Sequence, residues 1–136
     1  MNITLRAGER IYINGAVIRM DRKATIELLN DATFLLEAHV MQANDATTPL
    51  RQIYFVVQIM VMDPVAAPAN IVIARSLIEK ASGTFETPEL KSGLHTVAEL
   101  IARSRCFEAM KTLRSLYAFE QREMFPGGPV SAPHAA

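Results

Sequence analysis

The stretch LRAGERIYINGAVIRM, from Leu5 to Met20, decides how the first part of this chain folds. At its centre Asn14-Gly15 separates two runs rich in β-branched residues, and both residues tolerate the positive φ that a type I′ turn requires. A two-residue turn also fixes the register of the strands it joins. The sequence therefore predicts two hairpin turns in quick succession, at Ala7-Gly8-Glu9 and at Asn14-Gly15. The second gives the pairs Ile13–Ala16, Tyr12–Val17, Ile11–Ile18 and Arg10–Arg19.

The two faces of this hairpin differ in character. One face is predicted to be buried and consists of Ile11, Ile13, Ala16, Ile18 and Met20. The other face carries Arg10, Tyr12, Val17 and Arg19. Like charges directly opposite each other destabilise a strand pair. The arginine pair is therefore expected to need nearby carboxylates, for which Glu9 and Asp21 are close in sequence, or a bound anion.

Composition narrows the class of protein. The chain has 136 residues, half of them hydrophobic, which is enough to bury a core in one domain. The single Cys106 excludes an internal disulfide and fits a reducing compartment, so we expect a cytoplasmic protein. The longest apolar run, Ile53 to Met62, is too short to span a bilayer, and no membrane association is expected. The net charge of zero excludes a generally basic nucleic-acid binder and leaves room for a local patch.

The pattern changes after about residue 47. Short β-type runs at 2–6, 10–13, 16–20, 24–30 and 33–41 predict an antiparallel β module over residues 1–47. Residues 48–125 are predicted to be helical and either packed on that module or part of a dimer interface. The Pro- and Gly-rich residues 126–136 are predicted to be a disordered tail. The predicted fold class is α+β.

Local signals place the helices. Thr48-Pro49 predicts a helix start with a hydroxyl cap, and that helix is expected to stop at Asp63-Pro64. A short helix is predicted from Asn70 to Ser82 with Gly83 as its C-cap, after a linker at residues 64–68. Residues 88–124 are predicted to form two helices, or one helix with a break near Ser104. The stripe Leu90, Leu94, Val97 and Ile101 fits either a core or a dimer interface.

Three segments carry a resemblance over the full length of the chain. They are LRAGERIYINGAV, DATTPLRQIYF at Asp45–Phe55, and the region from Arg114 to Tyr117. With them the sequence resembles the FlbT family, post-transcriptional regulators of flagellin synthesis in alphaproteobacteria. The resemblance implies a protein that binds the 5′ untranslated region of flagellin mRNA and promotes its decay.

A second similarity lies within the first. Residues 3–9, ITLRAGE, are similar to the start of the CsrA family, and Ile53-Tyr54 matches an Ile-Tyr pair in the helix of that family. This similarity implies a small five-stranded β module, a homodimer, and RNA contacts by arginines at the first and last strands. Arg6 matches the first of these positions. Leu5 replaces the preceding family arginine, and residues 33–41 contain no arginine.

The candidate RNA-binding residues are Arg6, Arg10, Tyr12, Arg19 and Arg51. Arginine matches phosphates and base edges, and an exposed tyrosine can stack on an unpaired base. The alternatives are a surface arginine paired with Glu9 and a solvated hairpin face. A secondary basic patch consists of Arg103, Arg105, Lys111 and Arg114, for which the alternative is the ordinary polar side of amphipathic helices.

The sequence offers no support for catalysis, a cofactor or a metal site. No nucleophile, P-loop or dinucleotide motif occurs, and the three histidines lack ligand spacing. Arg103 and Arg105 would lower the pKa of the Cys106 thiol if their charges dominated its surroundings. The alternative for Cys106 is a buried structural thiol.

The expected function is repression of flagellin synthesis by occupancy of the flagellin mRNA leader. The rival hypothesis is a protein-binding module that acts on flagellin or on another flagellar assembly regulator. The neutral charge and the large helical half suit this rival.

Overall fold

The computed structural model of the protein describes residues 1–30 and 32–127. It confirms the α+β class. The five strands are β1 (Asn2–Leu5), β2 (Arg10–Ile13), β3 (Ala16–Arg19), β4 (Ala24–Glu27) and β5 (Phe34–Leu36). The four helices are α1 (Pro49–Met62), α2 (Ala67–Thr84), α3 (Pro88–Ala102) and α4 (Cys106–Met124).

The strands form two small antiparallel sheets. One pairs β1 with β4, and the other has the order β3-β2-β5. The prediction of a hairpin at Ala7-Gly8-Glu9 was wrong, because β1 and β2 belong to different sheets. The hairpin register is as predicted, with Arg10 opposite Arg19 and Tyr12 opposite Val17. Asn14 (φ 48°) and Gly15 (φ 85°) both have the left-handed backbone that this turn requires. Ile3, Leu5 and Ile11 are buried between the sheets.

The prediction that the whole aliphatic face of the hairpin is buried was wrong for β3. Ile11 is fully buried, but Ile18, its partner across the ladder, is 43% exposed. All four residues of β3 are exposed. The reason is that β2 has a neighbour on both sides, whereas β3 is an edge strand.

The fourth and fifth strands are shorter than predicted. β4 ends at Glu27 rather than Asn30, and β5 covers only Phe34–Leu36. The chain then forms a short 3-10 turn at Glu37–His39 and another at Ala43–Asp45. β-type composition alone therefore overestimated the extended structure in this part of the chain.

Helix α1 begins as predicted and forms the centre of the helical half. Thr48 is its N-cap, and the Thr48 hydroxyl accepts a hydrogen bond from the Arg51 amide at 3.3 Å. Leu50, Ile53 and Val57 are fully buried between this helix and its neighbours. The Leu90, Leu94, Val97 and Ile101 stripe of α3 is buried in the same core. These side chains belong to the core of one chain and are not available to a second copy.

Helix α2 is longer than predicted at both ends. It begins at Ala67 instead of Asn70, because a 3-10 turn at Pro64–Ala66 leads directly into it and Pro68 occupies its first turn. Gly83 is not the C-cap. It lies within the helix, which ends at Thr84 with Phe85 in an extended conformation as its cap.

Helices α3 and α4 are separate, with the break at the predicted place. Ser104 has a left-handed backbone (φ 59°), and the Arg105 amide turns back to the Leu100 carbonyl at 2.8 Å. Gly93 allows the two helices to approach closely, since a Cβ there would lie 2.5 Å from Leu116 Cδ1.

Several contacts attach residues 1–47 to the helices. The side chain of buried Gln58 both accepts from the Met41 amide (2.8 Å) and donates to the Met41 carbonyl (2.9 Å). The rings of Phe34 and Phe107 stack with centroids 6.5 Å apart. At the hairpin tip, a Cβ on Gly15 would lie 2.9 Å from Pro64. The orientation of the hairpin relative to α1 and α4 is therefore fixed by packing.

The predicted disordered tail falls outside the described residues from 128 onward and stays a prediction. Among residues 1–30 and 32–127, no helix combines the length and apolar character needed to cross a membrane.

Candidate nucleic-acid interface

Three of the predicted RNA-binding arginines lie at the open end of the hairpin. We call Arg6, Arg10 and Arg19 the hairpin arginine cluster. Arg10 and Arg19 are cross-strand partners, and the turn containing Arg6 is tied to the residue after Arg19 by a 2.7 Å hydrogen bond from the Gly8 amide to the Met20 carbonyl. All three side chains are exposed.

The carboxylates near this cluster bind backbone amides instead of guanidinium groups. Glu9 accepts from the Arg6 amide at 3.0 Å, and Glu37 accepts from the Arg10 amide at 2.8 Å. Asp21 lies 3.7 Å from Arg22. Within the described part of the chain, no ion pair or side-chain hydrogen bond engages the three guanidinium groups of the cluster. The repulsion between Arg10 and Arg19 is therefore not offset by a direct ion pair within the described residues.

Tyr12 lies on the same face of β2 as Arg10, but it is not an open stacking surface. Its ring is half-buried and packs against the core of the helical half. Only its remaining exposed part is available to a ligand.

Arg51 is not brought together with the hairpin arginines. It lies in the first turn of α1, where its guanidinium carbon is 4.5 Å from the centre of the Tyr117 ring. This cation–π contact gives Arg51 a role in the packing of α1 against α4. Its position depends on a residue far along the chain, which no local pattern around Arg51 indicates.

A buried polar cluster surrounds that contact. Glu120 is 1% exposed and accepts a 2.8 Å hydrogen bond from the Leu50 amide at the start of α1. Burial raises the pKa of Glu120, although Thr48, the Leu50 amide and the Arg51 charge oppose that rise. Burial also raises the pKa of Tyr117, and the neighbouring Tyr54 adds to the effect.

The secondary basic patch is divided by the structure. Arg114 is half-buried on α4 and interacts electrostatically with Tyr54 inside the helical half. Arg105 and Lys111 lie near the start of α4, where Arg105 pairs with Glu108 at 2.6 Å and Lys111 lies 5.0 Å from the Phe107 ring centre. Arg103 is exposed at the end of α3. Only Arg103, Arg105 and Lys111 therefore belong to one surface.

Cys106 is half-buried at the start of α4. Burial raises the pKa of its thiol, so the expected lowering by Arg103 and Arg105 does not dominate.

A crevice of about 460 Å³ separates the hairpin tip from the helices. We call it the interface crevice. Asn14 and Thr33 line its β side, Val61 and Ile71 its α1 and α2 walls, and Arg105 and Cys106 its α3–α4 wall. Sequence reasoning missed this feature because it is formed by five separate segments. The Asn-Gly turn and the break at Ser104, both recognised from the sequence, mark two of its edges.

Comparison with known proteins decides the family. The family model described as flagellar protein FlbT matches residues 1–124. The chain belongs to the FlbT family. The resemblance drawn from LRAGERIYINGAV and the two later segments is therefore confirmed.

The FlbT relatives are similar over nearly their whole length. A protein of Mesorhizobium japonicum is 45% identical over 99% of this chain and 90% of its own length, and one of Brucella ovis is 47% identical over 98% and 87%. Both are named "probable flagellum biosynthesis repressor protein FlbT". A Bradyrhizobium diazoefficiens relative, FlbT 2 of that name, is 48% identical over 89% of each chain. No solved structure matches the chain, so the similarity of the FlbT β module to the CsrA family stays a prediction.

Proposed function

We propose that this FlbT-family protein is a cytoplasmic repressor of flagellin synthesis that binds the 5′ untranslated region of flagellin mRNA. Binding would promote decay of the transcript or block its translation. The relatives named as flagellum biosynthesis repressors support the repressor role. The mechanism is occupancy of the RNA, and it needs no catalytic group.

The hairpin arginine cluster is the observation that carries the RNA-binding part of the proposal. Three exposed arginines lie on adjoining backbone segments at the open end of the hairpin, and two of them are paired across the ladder with no ion-pair partner in residues 1–30 and 32–127. A phosphate between Arg10 and Arg19 would turn that repulsion into two charge-assisted hydrogen bonds. This arrangement favours binding of a phosphate backbone although the protein has no net charge.

The direct test is equilibrium binding of purified protein to the flagellin leader RNA of the same genome. A scrambled RNA of equal length and composition is the control. We expect tighter binding to the leader, with an affinity that falls as salt rises. Equal affinity for the leader and the scrambled RNA would overturn specific recognition.

A second candidate function is binding of flagellin or another flagellar assembly regulator. The observation favouring it is an exposed apolar stretch where α2 begins. Val65, in the turn that precedes α2, is 90% exposed, and Val72, seven residues further along, is 68% exposed. We also expect the protein to be a homodimer. The α3 stripe is buried in the core, so the exposed stretch at Val65 and Val72 is the better candidate for the dimer contact. Capture of flagellin by the protein in the absence of RNA would favour this second function.

A further inference from the structure

The interface crevice combines the walls that a nucleotide needs. Its volume of about 460 Å³ lies within the range of sites that hold small organic ligands. Val61 and Ile71 supply apolar surface for a planar base. Asn14 and Thr33, on the opposite wall, carry side-chain groups that both donate and accept hydrogen bonds.

The charges at its mouth favour an anionic ligand. Arg105 lies in the wall, held by Glu108, and Arg103 is exposed two residues earlier. Lys111 lies one turn further along α4, against the ring of Phe107. Three cations and the Glu108 carboxylate thus lie on or next to the α3–α4 wall of the interface crevice. A ligand with a planar apolar part and a negative group could pack against the apolar wall and pair with these cations.

The backbone is unusual at this position. Asn14 and Ser104 are the two non-glycine residues with positive φ among the described residues, and both line the interface crevice. Left-handed backbone at such residues costs free energy and recurs at functional sites. Here the two residues approach the crevice from opposite sides, one from the hairpin tip and one from the α3–α4 break.

We propose that the interface crevice holds one unpaired nucleotide of a single-stranded RNA. The base lies against the apolar wall, Asn14 and Thr33 bind its edge, and Arg105 faces its phosphate. The inference rests on the proposed function and adds a second contact to it. The hairpin arginine cluster lies at the other end of β2 and β3, which are four residues long, or about 14 Å. An RNA strand following the hairpin reaches both ends.

Cys106 makes the crevice measurable, because it is the single cysteine of the chain and lines the wall. The rate of its alkylation by N-ethylmaleimide reports whether the crevice is occupied. We expect saturating flagellin leader RNA to slow alkylation at least fivefold. The same RNA annealed to its complement should leave the rate unchanged, because a paired base cannot enter the crevice.

Alkylation also fills the crevice. The alkylated protein should bind the leader about tenfold more weakly, the size of one lost base stack, and the slope of log affinity against log salt should change by no more than the one Arg105 contact, about 0.7. Cys106→Ser protein is the control for the treatment itself, and its affinity for the leader should be the same before and after exposure to N-ethylmaleimide.

Two results would overturn the inference while leaving the proposed function intact. One is leader RNA that binds but leaves the alkylation rate unchanged, and the other is protection of Cys106 by flagellin and not by RNA. If the leader does not bind at all, the proposed function fails. The crevice is then tested with the four nucleoside monophosphates at millimolar concentration, and absence of protection by all four overturns it as well.

Discussion

Replacing Arg10 and Arg19 by glutamine should raise the free energy of unfolding but lower the affinity for RNA. The variant therefore distinguishes an effect on binding from an effect on folding. The pair is directly opposed across β2 and β3 with no ion-pair partner in the described part of the chain. Removing the like charges should stabilise the fold by about 0.2–0.5 kcal/mol, measured by urea unfolding. The same change removes two phosphate contacts and should weaken RNA binding.

The magnitude follows from counterion release. The three arginines of the hairpin arginine cluster should contribute about −2.1 to the slope of log affinity against log salt, an affinity loss of about 18-fold between 50 and 200 mM. With Arg6 alone remaining in the cluster, this contribution should be about −0.7 and the loss about threefold. A phosphate contact at Arg105 would add about −0.7 to the slope of both proteins. Fluorescence anisotropy with labelled leader RNA at four salt concentrations measures both slopes.

A matched control changes the same charge elsewhere. Arg75 and Lys80 are exposed on α2, away from the hairpin, and the double glutamine variant should keep the native slope. Equal slopes for native protein and the Arg10/Arg19 variant would refute the reasoning. A reduced slope in both double variants would show that only overall charge matters.

Three further predictions concern α4 and its neighbours. Glu120→Gln should stabilise the protein at neutral pH. Burial raises the pKa of Glu120 above its ordinary 4.5, so the stability that Glu120 contributes is lost as pH rises through the pKa of the folded state. The glutamine side chain carries no charge at any pH and avoids this loss. Urea unfolding at several pH values should show this difference vanish below pH 4.5, and a difference independent of pH would contradict it. Glu123→Gln should behave oppositely, since hydrogen bonds from the start of α3 lower the pKa of Glu123 and its contribution is lost only as pH falls through that value. Gly93→Ala should destabilise the protein by about 1–3 kcal/mol, because the new methyl group meets buried Leu116. Gly83→Ala has open space around it and should stabilise the protein by about 0.5 kcal/mol. Thermal unfolding measures both changes, and changes of the same sign would contradict this prediction.

Turns and helix starts that are specified by two or three neighbouring residues could be predicted from the sequence. Asn14-Gly15 specifies its own turn and register, and Thr48-Pro49 specifies the start of α1. Gly83 shows the limit of the same reasoning. Its neighbours continue the helix, so the glycine is accommodated inside α2 instead of ending it.

The candidate site was predictable only where it is local. Arg10 and Arg19 follow from the hairpin register, and the structure places them as predicted. Two other contacts depend on how α1 and α4 pack against each other. They are the contact of Arg51 with the Tyr117 ring and the interaction of Arg114 with Tyr54. Such contacts join residues far apart in sequence, which periodicity and capping signals do not determine.

We propose that the hairpin arginine cluster binds the flagellin mRNA leader and that this binding represses flagellin synthesis. The most direct measurement is the half-life of a reporter mRNA carrying the native flagellin leader, in cells that make either native protein or the Arg10/Arg19 glutamine variant. We predict a longer half-life or higher translation with the variant, and no difference when the leader is scrambled. Equal reporter levels with both proteins, at equal protein abundance, would contradict the account.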